Sequence, residues 1–347
     1  MSRHFILCSA VLSLLIGLAL MPLPAGEATF DDGEIRHIGY PGWFKTSFLD
    51  FSADLQELDE NKQGLMILFT TEGCSYCDQF IKRSLGNRVL ARLVQDHFDS
   101  IGLEIFDDNE MTAPDGSVLL VKEYAKDMGV GFSPTLIFLD KNGEVVLKRV
   151  GYLSPDKFRV ALDYVIGKNY VDSTYQEFLR TRAQPGKSSY VLKHDSIFAS
   201  PPYMLDRSRI KAARPLIVLF EENGCQACAR FHDQVLSDQE IRQVMARFEI
   251  VRLDRTDNKT GVITPAGEIT VASAWYDQAG LIQSPSMLFF DEAGSEVLRT
   301  DALVLNQRMM NSLNYVLEKA YDKGWSYQRF ARTKGMERIQ KQNPAAD

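Results

Sequence analysis

The sequence has few cysteines and histidines and, beyond its first twenty residues, no long apolar run. Five cysteines and five histidines occur among 347 residues. Because a membrane-spanning helix needs about 20 apolar residues, the rest of the chain contains no segment that could cross a bilayer. A chain of this length can build two domains of ordinary size without covalent staples, so a small disulfide-built scaffold is excluded.

The sequence also lacks an excess of positive charge. It has 39 basic and 46 acidic residues, a formal net charge of −7, with both signs scattered and no basic stripe. Since phosphate binding needs clustered lysine and arginine, nucleic acid is excluded as a partner. Hydrophobic residues make up 45% and charged residues 24%, which is typical of a globular protein.

The N-terminal segment has the three parts of a secretory signal. Arg3 gives a basic start, an apolar run extends from Phe5 to Leu20, and the helix-breaking "MPLPAG" follows. We predict a cleaved signal peptide over residues 1–28, with cleavage after Ala28 or, as an alternative, earlier at Ala25. The other interpretation is an uncleaved anchor. Either way the chain is expected to be exported, to the periplasm, with membrane contact only through this segment.

Four cysteines remain after the loss of this segment, and they form two CxxC pairs. Cys74 and Cys77 lie in "TTEGCSYCDQF", and Cys225 and Cys228 lie in "EENGCQACARF". Such local pairs do not connect distant segments of a fold. They are the spacing expected for a redox dithiol, for a permanent local disulfide or for metal ligands.

The two pairs belong to an internal duplication with a period of 151 residues. "LMILFTTEGCSYC" aligns with "LIVLFEENGCQAC", and "GVGFSPTLIFLDKNGEVVL" aligns with "GLIQSPSMLFFDEAGSEVL". Pro134 follows Cys74 by 60 positions, and Pro285 follows Cys225 by the same interval. Two copies of this size indicate two tandem globular domains and not a solenoid.

Each copy has the pattern of an α/β sandwich around a mixed sheet. Continuous apolar runs predict strands buried on both faces, and apolar residues at helical spacing follow each CxxC. A second strand, a helix ending at Gly129 or Gly280, a hairpin with a glycine turn and a closing helix come next. The predicted divisions are a first domain at 29–182, a Pro/Gly/Ser-rich linker at 183–204, a second domain at 205–330 and a polar tail at 331–347.

The first cysteine of each pair is placed where a strand ends and a helix begins. Backbone N–H groups and the helix dipole there favour the thiolate, which is the nucleophile of disulfide exchange. The second cysteine lies one helical turn further on. We therefore assign Cys74 and Cys225 as attacking thiols and Cys77 and Cys228 as resolving thiols.

The prolines downstream form the other part of the predicted site. A proline at the start of a sheet strand cannot donate to the ladder, and X–Pro is where cis peptide bonds occur. If Pro134 and Pro285 are cis and face the dithiols, the backbone of Ser133 and Ser284 can bind a substrate strand. Tyr76, between the first pair of cysteines, is expected on the surface as a further contact for a partner.

With these features the sequence resembles the thioredoxin family, and each copy is similar to the exported SoxW-type thioredoxins of sulfur-oxidising bacteria. The resemblance implies two tandem thioredoxin-like domains, each a three-layer α/β/α sandwich. It implies thiol–disulfide exchange with protein clients, without a cofactor, and a reductase fed by a DsbD-like membrane electron donor. In an oxidising compartment the opposite direction of exchange also stays open.

The sequence departs from common thioredoxins near both cysteine pairs. Gly73 and Gly224 stand where a tryptophan is usual, and Leu68 and Leu219 stand where many members bury an acid that handles the resolving thiol's proton. The departures leave proton handling and redox potential undetermined. Three nearby acids are expected to be solvated loop residues and not proton relays: Glu72, Glu221 and Glu222.

Two alternatives to catalysis remain at this stage. His232 lies one turn beyond Cys228, so it could join Cys225 and Cys228 as a zinc or copper ligand, although no fourth ligand is evident and a metal is not the preferred interpretation. The chain could also be a non-catalytic, chaperone-like module with structural cysteines. The equal spacing of cysteine pair and proline in both copies argues against that class.

Overall fold

The structure is a computed structural model that describes residues 38–182, 189–192 and 194–342. The predicted signal peptide lies outside the described residues, as do parts of the predicted linker (183–188 and Lys193) and the last five residues of the predicted tail. No helix in the described ranges is long and apolar enough to cross a membrane.

The first copy contains six strands and six α-helices among the described residues. In chain order they are α1 (Phe51–Gln56), β1 (Gly64–Thr70), α2 (Ser75–Gln79), α3 (Arg88–His97), β2 (Phe98–Glu104), β3 (Glu110–Thr112), β4 (Val118–Leu120), α4 (Val121–Asp127), β5 (Thr135–Asp140), β6 (Val145–Val150), α5 (Pro155–Ile166) and α6 (Tyr175–Arg182). A π-helical segment (Phe80–Leu85) continues α2, and a short 3₁₀ turn (Asn169–Val171) precedes α6.

The second copy repeats this order, except that a short strand stands where the first copy has α1. Its elements are β7 (Tyr203–Met204), β8 (Leu216–Glu221), α7 (Gln226–Phe231), α8 (Gln239–Met245), β9 (Glu249–Asp254), β10 (Gly261–Ile263), β11 (Ile269–Val271), α9 (Ala272–Gln278), β12 (Ser286–Phe290), β13 (Glu296–Thr300), α10 (Asn306–Leu317) and α11 (Tyr327–Gln342). A π-helical segment (His232–Leu236) again continues the CxxC helix, and a 3₁₀ turn (Ala320–Lys323) precedes α11.

Both copies build the same four-stranded mixed sheet. Its order is β2-β1-β5-β6 in the first copy and β9-β8-β12-β13 in the second. The strand before the CxxC pairs in parallel with its outer neighbour and antiparallel with the strand after the proline. The predicted α/β class, with a mixed central sheet in each of the two copies, is thereby confirmed.

Each sheet is covered on both faces because its central strand is apolar throughout. In β1, Met66 and Leu68 pack with the π-helical segment, α3 and α5, while Leu65, Ile67 and Phe69 pack with α1 and α4. All five side chains are fully buried. Successive side chains of a strand point to opposite faces, so an unbroken apolar run supplies two cores and the sheet becomes the middle of three layers.

The ends of the second copy differ from the predicted divisions. Strand β7 (Tyr203–Met204) lies within the predicted linker and pairs in parallel with β10. Helix α11 begins at Tyr327 and continues to Gln342, through the boundary placed at residue 330. The helix is held by Phe330, which is 2% exposed and belongs to the core of the second copy.

The two copies share a packed interface and exchange apolar side chains. Phe132, in the loop before Pro134, is 6% exposed within the core of the second copy, and its ring centroid lies 4.4 Å from that of Tyr327. Ile282, one position before the equivalent of Phe132, packs against the core of the first copy. The loops that precede the two prolines therefore both lie at the interface.

Candidate active site

The first cysteine of each pair caps the helix that follows it. The backbone N–H of Cys77 lies 3.1 Å from Cys74 Sγ, and that of Cys228 lies 2.9 Å from Cys225 Sγ. Both pairs are disulfides, with S–S distances of 2.15 and 2.12 Å. When a pair is reduced, the same N–H group donates to the thiolate of the first cysteine, which stabilises the anion.

Backbone conformation explains why a glycine precedes the first cysteine of each pair. Gly73 and Gly224 both have φ of 78°, in the left-handed region that residues with a Cβ avoid. This backbone conformation turns the chain from the end of the strand into the helix. The tryptophan that is usual at this position would be strained here, so the departure noted in the sequence follows from the loop geometry.

The structure brings the predicted serine–proline pairs to the cysteines. Both peptide bonds, Ser133–Pro134 and Ser284–Pro285, are cis. Ser133 Oγ lies 3.5 Å from Cys74 Sγ, and the carbonyl oxygen of Ser284 lies 3.6 Å from Cys225 Sγ. The equal spacing of 60 residues in the two copies thus becomes an equal juxtaposition in space.

Tyr76 was expected on the surface, and the structure corrects this. Its side chain is 5% exposed because residues of the second copy cover it. The backbone N–H of Leu305 donates to the Tyr76 hydroxyl at 3.0 Å, and the guanidinium of Arg308 lies 3.8 Å from the centre of its ring. Arg308 Nη2 also donates to the carbonyl oxygen of Ser133 at 2.8 Å.

A cleft of about 290 Å³ opens at Cys74 between the two copies. One wall is the CxxC loop of the first copy, and the other is made by α10 and α11, which contribute Arg308, Tyr327, Arg332 and Arg338. Sequence reasoning missed these residues. Its one available signal was the 151-residue repeat, which aligns Arg308 with Lys157 but does not show that either residue reaches the other copy.

The second dithiol has a different setting. Gln226, which follows Cys225, is exposed, whereas the equivalent Ser75 is 4% exposed. The copies are therefore unequal in access to the residues between the cysteines.

Glu221 was expected to be a solvated loop residue, and this expectation is wrong. It is the last residue of β8 and is fully buried. Its carboxylate lies 3.0 Å from His232 Nε2 and accepts a hydrogen bond from the Tyr190 hydroxyl at 3.3 Å. Burial raises the pKa of Tyr190, so its hydroxyl stays protonated and can donate. Of the other two acids, Glu72 is exposed, and Glu222 is paired with Arg255 at 2.7 Å.

The first copy has a neutral version of this cluster. Thr70 and Ile81 take the places of Glu221 and His232 in the 151-residue repeat. The Tyr40 hydroxyl lies 2.6 Å from Thr70 Oγ1, and burial raises the pKa of Tyr40 to about 12. A tyrosine hydroxyl thus contacts the end of the central strand in both copies, and only the second copy adds a charged residue and an imidazole.

His232 faces a carboxylate and not an array of metal ligands. Its Nε2 atom lies within 3.1 Å of both carboxylate oxygens of Glu221. Among the residues that the structure describes, no group of three histidine, cysteine or acidic side chains is arranged to hold a metal ion.

A mixed sheet, a CxxC disulfide at a helix N-terminus and an adjoining cis-proline define a thioredoxin-fold protein. The family model for the thioredoxin-like domain matches residues 51–166 and 205–317. The chain therefore belongs to the thioredoxin-like domain family, with both copies as members.

Comparison with curated proteins found no match. Among solved structures, a thioredoxin-fold protein from Helicobacter pylori is similar at 23% identity and a TM-score of 0.34, covering 40% of this chain and 86% of that one. A thioredoxin from Thermus thermophilus is similar at 25% identity and a TM-score of 0.25, covering 31% and 75%. The C-terminal domain of DsbD from Neisseria meningitidis is similar at 16% identity and a TM-score of 0.23, covering 30% and 81%.

Proposed function

We propose that this chain is a thiol–disulfide oxidoreductase in which Cys74 and Cys225 attack and Cys77 and Cys228 resolve. The observation that carries the proposal is the position of each first cysteine. Its sulfur accepts from a backbone N–H at a helix N-terminus and lies 3.5 or 3.6 Å from the serine before the cis-proline. Both features are arranged for a thiolate that meets a substrate sulfur at the same place.

The proposed reaction needs only the two sulfurs of a pair. The thiolate of the first cysteine attacks a client disulfide, forms a mixed disulfide and releases one client thiolate. The second cysteine, one helical turn away, then attacks the first, closes the protein disulfide and releases the other client thiolate. Cys77 and Cys228 are both fully buried, which keeps the resolving thiol away from clients until the mixed disulfide has formed.

Protein thiols and disulfides are the proposed clients, and the second copy is their main point of entry. The exposed Gln226 beside Cys225 leaves that dithiol approachable, while Tyr76 beside Cys74 is covered. A client segment would pair in extended form with the backbone of Ser284 next to Pro285, in the manner of strand addition. Ser133 and Pro134 are the equivalent elements of the first copy.

The proposed compartment is the periplasm, and the proposed direction is reduction. The basic start and apolar run of the first 28 residues support export, and the resemblance to SoxW-type thioredoxins supports a reductase supplied by a DsbD-like membrane donor. Fusing residues 1–37 to a reporter that is active only after export tests the compartment. A reporter that stays inactive would contradict it.

Reduction of insulin disulfides tests the proposed activity. The full chain is compared with Cys74→Ser, with Cys225→Ser and with the double variant, with dithiothreitol as the electron source. We expect Cys225→Ser to remove most of the activity, Cys74→Ser to remove less, and the double variant to remove all of it. Activity of the double variant equal to that of the natural chain would instead support the non-catalytic, client-holding class.

The reduction potentials of the two dithiols decide the direction. Each is measured in the full chain while the other pair is replaced by serine, after equilibration in glutathione or dithiothreitol buffers. A value of roughly −270 mV, as in thioredoxin, supports a reductase, and roughly −120 mV, as in DsbA, indicates an oxidant. A pair that stays oxidised across this range would be a structural staple.

A further inference from the structure

The carbonyl group of Ser133 is already bonded to the opposite copy. Arg308 Nη2 donates to it at 2.8 Å while the same guanidinium covers the Tyr76 ring. A protein client that adds a strand beside the cis-proline needs that main-chain acceptor. While the two copies stay packed as they are, the Arg308 guanidinium competes with an extended polypeptide for this carbonyl oxygen, which disfavours strand pairing at Ser133.

The space that remains at Cys74 suits a small compound. The cleft has a volume of about 290 Å³, just below the range of about 300–1,000 Å³ found for ligand pockets. Apart from the cysteine loop, its walls include the amide side chains of Gln307, Asn311 and Gln328. Such groups orient a polar ligand by hydrogen bonds.

The charge of the cleft is positive in a chain whose net charge is −7. Arg308, Arg332 and Arg338 line it, and Glu72 is its one acidic residue among the described residues. Arg338 donates to Asn311 at 3.4 Å, and Arg332 lies 5.6 Å from the ring centre of Phe106, so both have contacts that position them. Guanidinium groups match the planar geometry of a carboxylate better than any other side chain.

We propose that the Cys74 cleft takes a small thiol or disulfide compound that carries a carboxylate or similar acid group. This inference rests on the proposed thiol–disulfide exchange and assigns a separate substrate class to the first copy. The arginines have a direct use in that reaction, since the Cys74 thiolate and an anionic disulfide repel each other unless nearby positive charge offsets the repulsion.

The exchange is balanced within the dithiol and the compound. The Cys74 thiolate attacks one sulfur of the compound, so a bond forms to Cys74 Sγ and the compound's own S–S bond breaks, releasing one thiolate. Cys77 then attacks Cys74 Sγ, re-forms the Cys74–Cys77 disulfide and releases the second thiolate. Two electrons pass from the protein to the compound, and the protons lost by the two cysteines balance those taken up by the released thiols.

The test uses the full chain with Cys225→Ser and Cys228→Ser, so that only the first dithiol reports. The reduced protein is mixed with disulfides of similar size and different charge: dithiodipropionate (anionic), bis(hydroxyethyl) disulfide (neutral) and cystamine (cationic). The rate of Cys74–Cys77 disulfide formation is measured with each compound. It is divided by the rate at which reduced dithiothreitol reacts with the same compound, which corrects for the compound's intrinsic reactivity. We expect the normalised rate with the anionic disulfide to be about five times that with the neutral disulfide. The normalised rate with cystamine should be lower than that with the neutral disulfide.

Variants on the same helix separate the charge effect from a general one. The double replacement of Arg332→Gln and Arg338→Gln should make the normalised rates with the anionic and the neutral disulfide equal. Arg329→Gln is the matched control, because its guanidinium lies over Trp325 at 4.6 Å and does not line the cleft. Its ratio should stay as in the parent protein, and high salt should weaken the preference in both.

The outcomes distinguish this inference from the proposed function. Reaction with all three disulfides without an anionic preference, or a preference that survives the double arginine replacement, overturns the inference and leaves the exchange activity in place. Reaction with insulin at the same normalised rate as with the neutral disulfide overturns it as well. Failure of the reduced dithiol to react with any of the three compounds contradicts the exchange activity itself.

Discussion

Lys157 and Arg308 occupy equivalent positions 151 residues apart, and each bonds to the cis-proline loop of the opposite copy. Lys157 Nζ donates to the side chain of Gln283, and Arg308 Nη2 donates to the carbonyl oxygen of Ser133. The interface between the copies thus has an approximate two-fold symmetry. Duplication therefore gave this chain two faces that fit each other, in the way that a symmetric dimer uses one surface twice.

The approximate two-fold axis lies close to Gly151 and Ala302, which are also equivalent positions in the repeat. Gly151 has φ of 86°, and a Cβ on it would lie 3.1 Å from Ala302 Cβ. We expect Gly151→Ala to lower the free energy of unfolding by roughly 2–3 kcal/mol, from left-handed strain and crowding together. Urea unfolding measures this change.

Gly116→Ala is the matched control for that replacement. Gly116 has nearly the same φ, 84°, but a Cβ on it would have no neighbour within 4 Å. It should therefore show the strain alone, roughly 1–2 kcal/mol. Equal losses of unfolding free energy in the two variants would mean that the copies shift apart at position 151 to admit the added methyl group without a loss of stability.

Removal of His232 should destabilise the second copy. Its Nε2 contacts the carboxylate of Glu221, which is fully buried. In His232→Ala that carboxylate keeps the Tyr190 hydroxyl but loses its other side-chain partner, so we expect a loss of about 1–3 kcal/mol in the free energy of unfolding. His194→Ala, at an exposed position, is the control, and a loss at His232 no greater than at His194 would refute the expectation.

The interface lysine should make stability depend on pH. Burial of its ammonium group, with Arg149 nearby, lowers the pKa of Lys157 to about 8 from an ordinary value of 10.5. Between these values the unfolded chain binds the proton more strongly, so the free energy of unfolding rises with pH from about 8 to about 10.5. Because the residue as a whole is exposed, the rise attributable to it should be small, about 1 kcal/mol.

Lys157→Met isolates this contribution. The variant should gain less stability than the natural chain between pH 7 and pH 10, and the comparison cancels tyrosine titrations common to both. The exposed Lys141→Met serves as the control. If the unfolding free energies of the natural chain and of Lys157→Met changed in parallel across that interval, burial of the charged lysine would not be lowering the stability.

The two disulfides should differ in their rate of reduction in the native chain. Gln226 beside Cys225 is exposed, whereas Ser75 and Tyr76 beside Cys74 are buried, and residues of the second copy cover Tyr76. Brief treatment with reduced thioredoxin, a protein too large to enter the Cys74 cleft, followed by alkylation and mass spectrometry, should show Cys225–Cys228 opened severalfold sooner. In urea the two rates should converge, and equal rates in the native chain would show that the cover over Tyr76 does not protect the disulfide.

Much of the fold follows from local patterns in the sequence. The unbroken apolar runs of β1 and β8, the cysteine-headed helices and the glycine hairpins each express a preference that acts over a few residues. The repeat then required both copies to share one topology. The juxtaposition of each cysteine with its proline could be predicted in the same way, because spacing and topology together bring the two loops to one end of the sheet.

The burial of Tyr76 and Glu221 could not be read from local patterns. From local pattern a tyrosine between two cysteines is expected on the surface, and Tyr76 is buried here because residues far along the chain cover it. Glu221 ends a strand and resembles a loop acid until His232 and Tyr190 are found beside it. Both cases depend on partners that are distant in sequence.

Two thioredoxin-like copies, their dithiols and the prolines opposite them can all be predicted from the amino-acid sequence, because each depends on periodicity, turn residues and spacing within one copy. The tertiary structure adds that the copies pack through their cis-proline loops, that Arg308 donates to the carbonyl oxygen of Ser133, and that three arginines line the cleft at Cys74. Those features arise from contacts between residues more than a hundred positions apart. Such contacts follow from the shapes and charges of folded surfaces, which no pattern along the chain records.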